Sequence, residues 1–357
     1  MTTNERLFFV VSGEHPTLPH AEIRAILHAF GIGFKEIAAY PKLLRVKADP
    51  SALDAVAKRS MMYDQCGVEL AATRPNRERF LSVVSRLNLS RHFVERRSYA
   101  VRSLRIGGAF KHFRRTAFER EIGEAMQTTR LGVKVDLDHP DVTFLCIISR
   151  KGFLLGEVTH SRAPGLIASR RPRKRPVFHP STMPPKLARC IVNLARTRDG
   201  AVLLDPFCGV GGILLEASAI GCEGVGLDAD PRMVRGAKTN LKHYGAEPFG
   251  FILGDATKMP IRGVDSIVTD PPYGREASTH GRKLEDLLQE FIPSAGDALS
   301  AGGFLCICCP SDVHVSQITR AAGFKLVESH LAYVHRSLTR RILVLRKKIK
   351  RRGKAAA

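Results

Sequence analysis

Val202–Ile213 reads VLLDPFCGVGGI: an apolar run closing on Asp205, then Gly209, Gly211 and Gly212. Apolar residues followed by closely spaced glycines predict a strand, a tight turn and the start of a helix. Glycine suits such a turn because the backbone must take positive φ and let a ligand approach to contact, which a Cβ would obstruct. The spacing departs from the dinucleotide pattern G-x-G-x-x-G, and glycine-rich strand-to-helix turns also serve as plain packing devices. The meaning of the turn therefore depends on what surrounds it.

Downstream, strands and helices alternate from Ser181 to Leu345, which predicts a mostly parallel, doubly wound α/β sheet. A helix over Pro184–Ala195 precedes the glycine turn and presents Leu187, Ile191 and Leu194 on one face. The strand Gly224–Leu227 ends in Asp228, about twenty positions past the glycines, where a carboxylate can accept hydrogen bonds from ribose hydroxyls. Asp230 then caps the helix Pro231–His243. A third strand ends in Gly254 and Asp255, placed to accept from an adenine amino group, and a fourth, Val264–Thr269, runs into Asp270-Pro271-Pro272-Tyr273-Gly274. Ligands of such sheets lie beyond the carboxyl ends of the strands. Asp205, Asp228, Asp255 and Asp270 all fall at that edge, so they read as one site rather than four unrelated turns. No lysine follows the glycines in Walker A fashion, which argues against triphosphate hydrolysis.

The pentapeptide DPPYG has a chemical reading. The lone pair of an exocyclic amino group on a base is delocalised into the ring and attacks a methyl group poorly. Asp270 and the Pro271 carbonyl can accept hydrogen bonds from that amino group and favour a pyramidal nitrogen. The prolines, lacking N–H, help fix an exposed carbonyl, and Tyr273 can stack on a base that has left its helix. Catalysis then rests mainly on positioning an in-line displacement. A rigid strand-ending turn would explain the prolines but not the whole pentapeptide.

The composition points to a polyanionic partner: 56 Lys+Arg against 34 Asp+Glu give a formal charge of +22. Nucleic acid is the first candidate, with ribosome association or an anionic membrane surface as the bland alternative. The eight cysteines lack the paired CxxC motifs of a zinc site, and Cys306, Cys308 and Cys309, although the first and last stand three apart, sit in an apolar run, so buried thiols in a reducing compartment are expected, with no metal. Leu7–Val11 is too short for a secretory signal and no stretch nears the roughly 20 apolar residues of a membrane span, so a cytoplasmic protein is expected.

The N-terminal half predicts two small α+β units: residues 1–75, of ferredoxin-like type, and residues 76–158. In the second, Arg102, Arg105, Lys111 and Arg114 crowd together with Tyr99, Phe110 and Phe113, either as a solvated face or as a track for an RNA backbone. This unit resembles a THUMP domain, an RNA-binding module found with tRNA-modifying enzymes, through its strand-helix-strand order and the Asp141-Val142 opening of the penultimate strand. Residues 159–180 form a basic linker in which Arg171, Arg173, Lys174 and Arg175 are candidate phosphate contacts and Pro172 and Pro176 oppose helix. The catalytic domain is expected over 181–346, followed by a basic tail over 347–357.

From about Arg171 to Leu345 the chain resembles the S-adenosylmethionine-dependent methyltransferases of the amino-methylating class, and more closely the archaeal tRNA guanosine-10 N2-methyltransferases. The matching residues include His179-Pro180, PPKLAR from Pro184, DPFCGVGGILLEA, GLDADPRMVRGAKTNL and TDPPYG. The resemblance implies a Rossmann-like class I methyltransferase domain with S-adenosyl-L-methionine as cofactor. It implies that Asp205 and Gly209 lie by the methionine part, Asp228 by the ribose and Asp255 by the adenine, with Phe207, Gly211, Ala229 and Ala256 completing the cofactor set. It implies that Asp270, Pro271, Pro272 and Tyr273 meet the target guanine. Val210 stands where relatives commonly have threonine, and Ala229 where a larger aliphatic is usual. The expected activity is N2-methylation of guanosine in tRNA at position 10, giving N2-methylguanosine and extending to the dimethylated base. The partner is tRNA, with no membrane and no DNA, and the chain is expected to be monomeric with the need for an activator subunit left open. The alternatives are the same chemistry on ribosomal RNA or another tRNA position and, from a different class, a noncatalytic RNA-binding chaperone.

Overall fold

The computed structural model describes residues 4–111, 114–126, 128, 132–163, 165, 167–247, 249–273 and 283–349. Gly274 of the pentapeptide, Phe113 and the tail from residue 350 lie outside them. The chain divides into two units, Met1–Pro16 with Ile32–Ala57 and Tyr63–Arg162, and Thr17–Gly31 with Lys58–Met62 and Ala163–Ala357.

In chain order, the N-terminal half contains β1 (Glu5–Val11), α1 (Leu18–Ala29), β2 (Phe34–Tyr40), β3 (Leu43–Ala48), α2 (Ser51–Arg59), β4 (Tyr63–Thr73), α3 (Arg77–Val84), β5 (Ser98–Arg105), α4 (Arg115–Ala125), β6 (Lys134–Val135), β7 (Val142–Ser149) and β8 (Gly152–Ser161). The expected boundary near residue 75 does not interrupt the sheet. Strand β4 pairs antiparallel with both β1 and β8, so one eight-stranded sheet runs β2-β3-β1-β4-β8-β7-β5-β6 through the first unit. Strand β7 shows why: Phe144, Cys146 and Ile148 pack with Phe80 of α3 and Phe118 of α4, while Leu145 and Ile147 pack with Phe8 and Val10 of β1. Both faces are covered, so the strand reads as a near-continuous apolar run.

The second unit contains α5 (Pro185–Leu194), β9 (Val202–Asp205), α6 (Gly212–Ser218), β10 (Glu223–Asp228), α7 (Pro231–His243), β11 (Gly250–Leu253), β12 (Val264–Thr269), α8 (Leu284–Ala298), β13 (Leu299–Pro310), α9 (Ser316–Ala321), β14 (Phe324–His335) and β15 (Leu338–Lys347). The sheet order is β11-β10-β9-β12-β13-β15-β14, parallel from β11 to β13 and antiparallel at β15 and β14. The order reverses between β9 and β12, which opens a crevice at their carboxyl ends. Adjacent residues of β9 face opposite cores: Leu203 joins Ile191, Leu214 and Cys306 on one side, and Leu204 joins Leu288, Phe291 and Ile292 of α8 on the other. All eight cysteines are free and buried, as their apolar settings predict.

Two further expectations change. Helix α1, read with the N-terminal domain, belongs to the second unit: Leu18, Ala21 and Ala25 enter its core, and buried Glu22 accepts hydrogen bonds from Ser60 Oγ (2.5 Å) and Asn193 Nδ2 (2.9 Å). The linker is also less extended than its prolines suggest. Strand β8 runs to Ser161, and short 3-10 turns occupy Ala168–Arg170 and Pro172–Lys174. Proline is tolerated at the first position of such a turn, where its missing N–H would have no partner anyway.

Candidate active site

The site grows from the turn after β9. Gly209 and Gly211 take φ of +50° and +82°. A Cβ on Gly211 would stand 2.7 Å from Leu241 Cδ1, whereas a Cβ on Gly209 would meet nothing within 4 Å. The two glycines therefore do different work: Gly211 lets α7 pack closely, and Gly209 leaves an open face of backbone toward the crevice. The Gly209 amide donates to Asp228 Oδ2 (2.9 Å), and the Asp230 amide donates to Asp228 Oδ1 (2.9 Å). The carboxylate at the end of β10 is thus fixed by the backbone on both oxygens. Burial raises its pKa above the usual carboxylate range, against the opposing pull of those amides. Asp230 caps α7, accepting from the Arg232 amide at 2.8 Å, as expected. At the end of β11, exposed Asp255 accepts from the Thr257 amide (2.9 Å) and leads into the buried Ala256.

Strand β12 delivers the remaining chemistry. Asp270 follows its last residue, and the Tyr273 hydroxyl donates to Asp270 Oδ1. Arg340 of β15 donates Nη2 to Asp270 Oδ2 at 2.9 Å and sets its guanidinium 5.8 Å from the Tyr273 ring centroid. Burial raises the Asp270 pKa, opposed first by the charge of Arg340 and then by the Tyr273 hydroxyl. The Tyr273 phenol is itself pushed up by burial and by Asp270, so it stays a neutral donor.

These groups surround one cleft of 1240 Å³. Among the expected cofactor residues, Phe207, Gly209, Asp228, Ala229, Asp255 and Ala256 line it, and so do Asp270, Pro271, Pro272 and Tyr273. Asp205 and Gly211 do not. Asp205 is 1% exposed and lies behind the cleft wall, accepting from Thr269 Oγ1 (2.8 Å) and the Phe207 amide (3.3 Å). Burial pushes its pKa up to about 7, with Asp228 and Asp270 adding to the rise. It ties the glycine turn to β12. Arg340 was not singled out from the sequence. It sits in a C-terminal hairpin with no local motif, and only the antiparallel return of β15 beside β13 brings it to Asp270.

Of the candidate RNA contacts, Arg102, Lys111 and Arg114 are exposed on the first unit and Arg105 is partly so. Arg102 Nη2 donates to the Leu137 carbonyl. Arg171, Arg173 and Lys174 are exposed on the second unit. Arg175 is not a surface cation: it is 5% exposed, its Nε donates to the Arg170 carbonyl (3.1 Å), and its guanidinium crowds Gly212 at the start of α6. Desolvation lowers its pKa, against the attraction of Glu216. Among the described residues no helix is long and apolar enough to cross a membrane, and no cluster of His, Cys, Asp and Glu could hold a metal.

Comparison with known proteins adds three findings. Residues 172–342 match the UPF0020 family, described as an RMKL-like methyltransferase domain, and residues 78–156 match the THUMP domain. The chain is 36% identical over 340 residues to a protein of Methanothermobacter thermautotrophicus named tRNA (guanine(10)-N2)-dimethyltransferase, covering 95% of this chain and 98% of that one. A Methanocaldococcus jannaschii protein of the same name is 30% identical, covering 95% and 99%. Among solved structures, TrmN from Thermus thermophilus superposes with a TM-score of 0.52 over 96% of this chain and 99% of its own, at 23% identity, a likeness of fold.

Proposed function

The chain belongs to the tRNA (guanine(10)-N2)-dimethyltransferase family, and from that premise we propose that it methylates the exocyclic N2 amino group of guanosine 10 in tRNA, once and then again. The observation that carries the reading is the Asp270–Tyr273 segment, which lines the same cleft as Asp228 and Asp255. S-adenosylmethionine supplies a methyl group on a positively charged sulfur. The residues present fit it: the open backbone at Gly209 accommodates its amino-acid end, Asp228 offers lone pairs to ribose hydroxyls, and Asp255 meets the adenine edge. Phe207 stacks edge-on against Phe291, ring centroids 5.2 Å apart, and gives the wall a rigid apolar patch.

Asp270 accepts the N2–H hydrogen bond, draws the amino nitrogen toward tetrahedral geometry and orients its lone pair for displacement. The proton lost from N2 leaves to Asp270 or to solvent after the N–C bond has formed. A paired guanine has its amino group engaged in the helix, so the base enters the cleft flipped out, with Tyr273 as its stacking surface. The THUMP module and its exposed cations bind the tRNA backbone, and the reaction is placed in the cytoplasm, in keeping with eight buried free thiols.

The test is incubation of the purified protein with methyl-labelled S-adenosylmethionine and an unmodified tRNA transcript, followed by nucleoside analysis. Label in N2-methylguanosine, passing into N2,N2-dimethylguanosine and lost when guanosine 10 is replaced, is the expected result. Label at another guanosine overturns the position. Cofactor binding without label in tRNA, but with label in ribosomal RNA, overturns the substrate.

A further inference from the structure

The Asp270 carboxylate has two oxygens, and the structure gives them different neighbours. Oδ1 accepts from the Tyr273 hydroxyl, a neutral donor three residues along the same segment. Oδ2 accepts from Arg340 Nη2 at 2.9 Å, a group near the start of β15, the strand between β13 and β14, where Arg340 pairs with Pro310, the last residue of β13, on one side and Ala332 on the other. Arg340 is only 8% exposed and its Nε has no partner among the described residues. A buried guanidinium with a donor left over is a poor way to stabilise a fold, since an apolar side chain of similar volume avoids the desolvation. Its place against Asp270 and Tyr273 therefore calls for a functional account.

We propose that Arg340 is the positioning residue of the methyl transfer: it clamps Asp270 by Oδ2 so that Oδ1, once the Tyr273 hydroxyl yields it, faces the target amino group. The inference rests on the amino-methylation reading and adds to it the residue that orients the acceptor. The clamp also sets charge. Among the described residues, the groups facing Asp270 are Arg340 from β15, Asp205 from β9, Cys308 and Cys309 from β13, and Tyr273 from its own segment. Arg340 is the one permanent cation among them. Without it, burial favours the protonated acid, which presents a hydrogen where an acceptor is needed.

The experiment compares wild type, Arg340→Met and Arg340→Lys in steady-state transfer to tRNA across pH 5.5–9, with KM values for tRNA and cofactor. For Arg340→Met, kcat falls about 100-fold near neutral pH, both KM values stay close to wild type, and the acid limb of the kcat profile moves to higher pH. Arg340→Lys keeps the charge but loses the planar fork, so it recovers part of kcat and most of the profile. An Arg340→Met profile with an unshifted acid limb, or a loss carried by KM alone, overturns the proposal while leaving the function intact. Should Arg340→Met fail to fold, Arg340→Lys decides: an unchanged kcat overturns the clamp. A wild type that labels no guanosine in any RNA overturns the function and this inference with it.

Discussion

Asp205 and Asp270 leave neighbouring strands of one sheet and meet different fates because their surroundings differ. Asp270 borders the cleft and is held by Arg340, so its charge is available to a ligand. Replacing it by alanine should lower kcat by about 10³-fold, the order seen when one preorganised polar contact to a reacting group is lost. tRNA and cofactor affinity measured by titration should persist; an equal loss of tRNA binding would contradict the assigned role. Asp205 is sealed off and its folded pKa lies at about 7 against an ordinary 3.8. A raised carboxyl pKa means that the folded state holds the proton more tightly than the unfolded chain. Its stabilisation is complete below pH 3.8 and is lost as pH climbs through about 7. Relative to Asp205→Asn, which mimics the protonated form, the wild type should lose up to about 4 kcal/mol of unfolding free energy across that window. Denaturant titrations of both proteins at pH 4.5, 6 and 7.5, without cofactor, measure it; a constant difference would show that Asp205 is ionised throughout.

Turns and helices divide labour in the same way as the two aspartates. Within one glycine turn, Gly211 answers to packing and Gly209 to the crevice. Gly211→Ala forces a left-handed residue and a Cβ into Leu241, which should cost about 1–3 kcal/mol in denaturant melts and leave cofactor affinity nearly unchanged. Gly209→Ala bears the same left-handed strain but has room for its Cβ, so what sets it apart should be a loss of cofactor affinity in calorimetric titration. Equal effects of the two substitutions on binding would refute the division. The C-terminal hairpin shows an element whose importance is invisible locally: β15 contributes Leu343 and Leu345 to the core and, on the same strand, Arg340 to the site.

At the scale of the molecule, the catalytic unit is not a contiguous length of chain. It includes Thr17–Gly31 and Lys58–Met62, which supply Leu18, Ala21, Ala25 and Met62 to its core and place Glu22 against Asn193. A fragment of residues 163–357 lacks them, exposes the face of α5 they cover and leaves buried Arg189 and Asn193 without partners at Arg59 and Glu22. It should aggregate, or melt about 10 °C or more below the full chain in calorimetry; equal melting temperatures would make α1 dispensable. The surplus of positive charge acts over the same scale. Replacing Arg102, Lys111 and Arg114 by glutamine should reduce the slope of log K against log salt for tRNA binding by about 0.7–0.9 per cation that meets a phosphate. The same change at buried Arg175 should leave the slope unaltered and lower stability instead.

The catalytic fold was legible from sequence because its signals are local: apolar strands ending in aspartates, a glycine turn, and DPPY at the fourth strand all lie within short stretches. Ten of the twelve residues expected at the cofactor and the target base line one cleft, since strand ends of a doubly wound sheet converge by topology alone. Long-range pairing decided the rest. Asp205 and Gly211 look like their neighbours in sequence, but whether a side chain faces a cleft or the layer behind it depends on what packs there. Arg175 stands in a basic run, and only α6 and Glu216 make it an interior residue. Arg340 stands seventy residues from Asp270, beyond any spacing rule, and the register of β15 on β13 brings the two together. Composition and local pattern determined which elements form and which chemistry they carry. Burial and strand register, which depend on residues distant in the chain, decided which charges face the ligand and which are sealed inside.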